Sequence, residues 1–147
     1  MTHLKATFAA VILIGTALGS AAQAGAPAAD LTISFTGIEE QQGAVLGAVF
    51  DSEAAYNGGG KPVRTIMVAA SKAEVAAQLN GLAPGTYAIK AFHDVDGDQQ
   101  MGTNPFGMPI EPFAFSNNAQ GQMGPAKWAD AKFDVTPGTN SQSIIIR

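Results

Sequence analysis

Cysteine is absent from the chain. That excludes a catalytic thiol, a thiolate metal centre and a disulfide framework. Histidine is almost absent, with only His3 and His93, so neither a serine–histidine relay nor a histidine-rich metal site has enough partners. Ser71, Ser116 and Ser143 have no G-x-S-x-G context. Gly58-Gly59-Gly60-Lys61 lacks the spacing of a phosphate-binding loop. Basic residues are scarce, eight against twelve acidic, which argues against nucleic acid and anionic membrane surfaces as partners.

What is there begins with a leader. Lys5 supplies a positive start, Phe8 to Leu18 is apolar apart from Gly15 and Thr16, and Ala22-Gln23-Ala24 is a small-x-small cleavage site. Residues 1–24 are therefore expected to be a cleaved signal peptide. The apolar run is too short to span a bilayer comfortably, so no stable membrane anchor is expected after cleavage. The mature chain, 25–147, is expected to be periplasmic or secreted. It loses Lys5 and no acidic residue, which takes the net charge from −4 to −5. Its length suits a single domain with a core large enough to fold without disulfides.

Period-two alternation dominates the mature chain. Leu31, Ile33 and Phe35 alternate with polar neighbours. Ala44 to Phe50 reads as a second strand with Leu46, Ala48 and Phe50 inward. Val63 to Ala70 reads as a third. Ala73 to Leu79 reads as a fourth, although its composition would also suit a short helix. In Asn80 to Gly85, Pro84-Gly85 predicts a type II turn, with proline fixing one φ and glycine taking the positive one. Thr86 to His93 has Tyr87, Ile89 and Ala91 on one face and Lys90 on the other. Ala131, Phe133 and Val135 alternate near the end, and Ser141 to Arg147 closes the chain. About seven strands with Gly/Pro turns and no convincing helix predict an all-β fold, an antiparallel sandwich. The interval 95–130 is long for a structureless loop, and its aromatic residues predict an ordered one lying on the sandwich.

Inside that stretch, Asp94, Asp96 and Asp98 stand at alternate positions, where a curling loop can turn them toward one hard cation. With Asn104 they form a candidate Ca2+ site. The match to a helix-loop-helix calcium hand is poor: Gln99 occupies the required glycine position and Pro105 the closing glutamate. The alternative is a set of Asx turns in which the carboxylates accept backbone N–H bonds. His93 is expected to be structural, with a ring nitrogen bonded to the long loop. Phe106, Phe113, Phe115 and Trp128 either form an aromatic platform or pin the loop down. Glu111, Asn117 and Asn118 either line a polar cleft or satisfy loop backbone.

These residues carry a resemblance. LAPGTYAIKAFHD (82–94), DVDGDQQMGTN (94–104), GMPIEPFAFSNN (107–118), GPAKWADAKFDV (124–135) and the closing SQSIIIR together resemble the small exported proteins of domain of unknown function 2141. The resemblance implies a prealbumin-like or immunoglobulin-like sandwich and brings no activity or catalytic residues with it. The chain departs from the family pattern at Gly102, where an acidic residue is usual. The expected function is that of an exported, non-enzymatic binding or accessory protein of the cell envelope, recognising an envelope or extracellular ligand. Its surface would include His93, Glu111, Phe113, Phe115, Asn117, Asn118 and Trp128. Alternatives are a carboxylate-dependent hydrolase of glycans or esters and a purely structural envelope protein.

Overall fold

The computed structural model describes residues 27–147, so the expected leader and its cleavage site lie outside the described residues. Eight strands follow in order: β1 (Ala29–Thr36), β2 (Ala44–Phe50), β3 (Arg64–Ala69), β4 (Val75–Leu82), β5 (Gly85–Asp94), β6 (Phe113–Phe115), β7 (Phe133–Val135) and β8 (Gly138–Ile145). One sheet has the order β4-β1-β8. The other has the order β3-β2-β5-β6, with β7 also paired to β5. The fold is the expected all-β sandwich. Every pairing is antiparallel except β1 with β8, which is parallel. That exception arises where the chain leaves β7 on one sheet and enters β8 on the other.

The core lies between the sheets. Leu31, Ile33 and Phe35 of β1 are buried, as the alternation predicts, and face Val45, Val49, Tyr87 and Ile89 from the second sheet. A fully buried side chain of this kind contributes about 1.5–3 kcal/mol. Val75, Ala77 and Leu79 pack against the same core from β4, so the ambiguous fourth segment is a strand.

Four expectations are corrected. In β2 the core-facing residues are Val45 and Val49, whereas Leu46, Ala48 and Phe50 lie on the opposite face. Both faces of β2 are apolar, the outer one lying partly under a second cluster at Phe50 and partly under the loop, so alternation alone could not choose between them. The positive φ near the β4–β5 turn belongs to Gly81 (+70°), not Gly85. Gly81 forms a bulge where β4 holds one residue more than β1, with its N–H donated to Asp30 Oδ1 at 3.2 Å. An eighth strand, β6, lies inside the predicted long loop. A short helix, α1 (Trp128–Ala131), stands just before β7.

Gly43 sets the approach of the β1–β2 turn to the end of β5. Its φ is +66°, and a Cβ there would sit 1.9 Å from the carbonyl oxygen of Asp94. Only glycine tolerates both conditions. Gly43→Ala is expected to cost about 2–4 kcal/mol, a fall in Tm on the order of 10 °C in a calorimetric melt. Gly58→Ala, at an open site with φ +96°, is expected to cost only about 1 kcal/mol.

Candidate binding cleft and the loop that walls it

β5 pairs with β2 along one edge. Its other edge would be bare without the stretch after it. That edge is closed piecemeal. β7 pairs with Gly85 to Tyr87, and β6 pairs with Lys90 to Phe92. Between them Ile89 N–H donates to Ser116 Oγ at 2.8 Å, and the same hydroxyl donates to the Ala131 carbonyl. Beyond β6, His93 N–H donates to the Pro112 carbonyl at 2.8 Å and Val95 N–H to Glu111 Oε1 at 3.0 Å. The long loop is thus ordered by the backbone donors it supplies with partners.

The acidic stretch is folded on its own amides. Asp94 accepts from Gly97 N–H at 2.8 Å and, through its other oxygen, from Gln99 N–H at 3.1 Å. Asp96 accepts from Asp98 N–H and Asp98 from Gln100 N–H. Glu111 clamps the loop with both oxygens, reaching Val95 N–H and Gly102 N–H. Asn104 Oδ1 accepts from Phe106 N–H and Met108 N–H, shaping a tight turn that Thr103 and Pro109 close as a bridge. Asp94, Asp96 and Glu111 bring carboxylate oxygens within 4.8 Å of one another, and Asp98 is not in that group.

Asn117 and Asn118 both take left-handed backbone, at φ +57° and +52°, a conformation asparagine tolerates. Asn117 Nδ2 donates to the Lys132 carbonyl at 2.6 Å. Asn118 Oδ1 accepts from Ile145 N–H at 2.8 Å, tying the loop to β8. His93 is buried at 1% exposure, and its ring does not bond the long loop as expected: Nε2–H donates to the Gln42 carbonyl at 2.8 Å, so the ring braces the β1–β2 turn and only the backbone N–H, on Pro112, braces the loop.

A second small core fastens the rest of the loop to the outer face of the five-stranded sheet. Tyr56, on a short helical turn at Ala55–Gly59, packs edge-on against Phe50 and Trp128, each at 5.7 Å between ring centres. Its hydroxyl donates to the Ala126 carbonyl at 2.9 Å. Burial, with a smaller contribution from the Asp130 carboxylate, pushes that hydroxyl up to about 12. Lys90 lies against this cluster. Its Nζ donates to the Tyr56 carbonyl at 2.6 Å and sits 4.2 Å from the Tyr56 ring centre. Burial holds its pKa below the ordinary lysine range.

The outer face is covered only in part. Met67, Leu46, Phe92 and Phe113 form one cross-strand row, and Thr65, Ala48, Lys90 and Phe115 form the next. Above these rows is a half-open cleft of about 1000 Å³. Met101, Pro109, Gly121 and Pro125 of the long loop line it as well. Phe113 and Phe115 meet edge to face at 5.8 Å on its floor, and among the described residues Lys90 is its only charged lining residue.

The residues proposed from sequence therefore divide. Phe113 and Phe115 line the cleft. Asp94, Asp96, Asp98, Asn104 and Glu111 shape its wall from behind. Trp128 belongs to the second core, and Asn117, Asn118 and His93 hold backbone. Sequence reading missed Leu46, Met67 and Lys90 as cleft residues. The available signal was that β2 is apolar on both faces, which implies something above each.

A family model described as an uncharacterized protein conserved in bacteria (DUF2141) matches residues 33–143, and the chain belongs to that family. No curated protein and no solved structure matches the chain.

Ser116 tests how the loop is held. Ser116→Ala orphans a buried donor and a buried acceptor, each worth about 1–3 kcal/mol, and a loss of about 2–4 kcal/mol is expected in denaturant titration. Ser143→Ala, on an exposed position of β8, should change stability by less than about 0.5 kcal/mol.

Proposed function

We propose that this member of an uncharacterised bacterial family is an exported, non-enzymatic binding protein that holds a small apolar ligand in the cleft between its outer sheet face and its long loop. The observation that carries this reading is the cleft itself: about 1000 Å³, floored by Leu46, Met67, Phe92, Phe113 and Phe115. That is at the upper end of the range of roughly 300–1,000 Å³ typical of small-molecule sites, which are also mostly apolar with few polar groups. The leader at residues 1–24 supports export, and with it a cell-envelope or extracellular ligand.

Of the groups a hydrolase would draw on, Asp94, Glu111 and His93 are engaged elsewhere, and Asp98 is exposed with one oxygen accepting from Gln100 N–H. Asp94 and Glu111 each spend both carboxylate oxygens on backbone amides, and His93 is buried on a backbone carbonyl. A general acid or base must reach a substrate proton. These groups face the loop they fold, which favours the binding reading over hydrolysis of glycans or esters.

An environment-sensitive apolar dye such as Nile red tests the cleft. Wild-type protein is expected to bind it with saturable fluorescence, and Met67→Glu to weaken binding about tenfold by setting a charge against the apolar floor. Met67 is 63% exposed, so the variant should melt as the wild type does. Equal dye binding by both proteins would count against the cleft.

A calcium-stiffened wall is a separate form of the reading, resting on the 4.8 Å grouping of Asp94, Asp96 and Glu111. Because backbone amides already serve these carboxylates, coincident thermal melts in EDTA and in millimolar calcium are expected. A calcium-specific rise of several degrees, abolished by Asp96→Asn, would instead make the cluster a cation site, since a ligand of the folded state stabilises by mass action.

A further inference from the structure

We infer that the ligand of the cleft is a single-chain amphiphile with an anionic head, such as a long-chain carboxylate, whose head group is received by Lys90. This rests on the cleft reading above and adds the ligand's chemical class.

The inference starts from an unusual placement of charge. Lys90 sits in the middle of β5, on the outer face, between Ala48 and Phe115 in the cross-strand row. Among the described residues it is the only charged one lining the cleft, whose other polar side chains are Thr65, Gln99 and Thr103. An ammonium group offers three donors. One goes to the Tyr56 carbonyl, and the Tyr56 and Phe50 rings lie 4.2 and 5.6 Å from Nζ. Burial is what lowers its pKa. The cation is thus partly stripped of water and held in place from one side, and among the described residues no carboxylate is paired with it. A desolvated charge of this kind is satisfied best by an opposite charge with hydrogen-bond acceptors.

The rest of the cleft states what must accompany that charge. From Lys90 the floor runs through Phe92 and Leu46 to Met67 and Phe113, with Met101 and Pro109 above. This surface is apolar and rich in flexible methionine, which adapts to irregular aliphatic shapes. A short anion would leave it uncovered, and an uncharged hydrocarbon would leave Lys90 unpaired. A compact multivalent anion would bring more charge than one lysine can match. One charge at one end and an aliphatic chain beyond it fit both halves. The mature net charge of −5 slows the approach of an anion from a distance. At contact the partly buried pair is screened far less than surface charges are, so the preference should survive physiological salt.

Displacement of Nile red by four probes, each below its micelle concentration, tests the inference: dodecanoate, dodecanol, dodecyltrimethylammonium and butyrate. Dodecanoate is expected to compete at least tenfold better than dodecanol, and the cation and butyrate to compete least. Lys90→Met should bring dodecanoate to the level of dodecanol, read as the ratio of the two within the same variant. Lys90→Arg, which keeps the charge, should retain the preference for the acid. Dodecanol competition shows that a variant still has its cleft, so a loss of fold is not mistaken for a loss of charge recognition. Equal competition by dodecanoate and dodecanol in the wild type, or an unaltered preference in Lys90→Met, would overturn the anionic class and leave the cleft standing. Failure of Nile red itself to bind would remove the cleft reading and this inference together.

Discussion

The free edge of β5 is the constraint on which the rest of the structure depends. A ten-residue strand in the middle of a sheet presents a row of N–H and C=O groups on each side. β2 satisfies one row continuously. The other is met by two strands of three residues each, one serine hydroxyl, one proline carbonyl and one glutamate carboxylate. A single long partner strand would have done the same more simply. The piecemeal arrangement instead obliges the chain from Val95 to Lys132 to remain against the sheet, because each contact it makes relieves an otherwise unpaired donor. The loop is ordered by backbone need and secondarily by its aromatic residues.

That obligation shapes the outer sheet face. A sheet buried on one side normally shows a polar second side. Here the second side carries Phe50, Ala88 and Phe115, all buried, beneath Tyr56 and Trp128. Further along, Leu46, Phe92 and Phe113 continue the apolar surface, but the loop leaves a cleft above them. Filling that space with loop side chains would extend the second core and stabilise the fold at about 25 cal/mol per Å² of apolar surface removed from water. Instead the loop turns Phe106, Met108 and Ile110 outward, each more than half exposed. Apolar residues of the loop are thus directed to solvent while the cleft stays unfilled.

Much of the sandwich was legible in the sequence because its first sheet is buried on one face only. Leu31, Ile33 and Phe35, and Val75, Ala77 and Leu79, alternate cleanly. Legibility failed where both faces are apolar. In β2, Val45 and Val49 compete with Leu46, Ala48 and Phe50 for the core, and only the position of the loop decides between them. β6 is three residues long, below the length at which a period can be read, and it exists because β5 lies beside it. The acidic loop was legible as chemistry and ambiguous as function. Alternate aspartates suit a cation and suit Asx turns equally, and only the backbone path shows Asp94 and Glu111 serving two amides each. Ser116 carried no sequence signal at all, since a hydroxyl's value here depends on an N–H 27 positions away in the chain.

Lys90 is the residue that stability explains least well. Its bond to the Tyr56 carbonyl is a charged hydrogen bond, worth about 1.5–3 kcal/mol, and its approach to the ring adds about 0.5–2 kcal/mol. Against these stands the effective penalty for desolvating an ion, several kcal/mol when burial is complete and less here, where it is partial. The two sides come close to cancelling, so a charge at this position does little for the fold that an uncharged side chain of similar length would not do. The backbone carbonyl of Tyr56 needs a donor, but a neutral amide side chain could supply one without the cost of stripping water from an ammonium. What only the ammonium provides is a fixed positive charge at the end of an otherwise uncharged apolar cleft. Under the proposed reading, its two remaining donors would serve an entering anion and the aliphatic floor beyond it would serve that anion's chain.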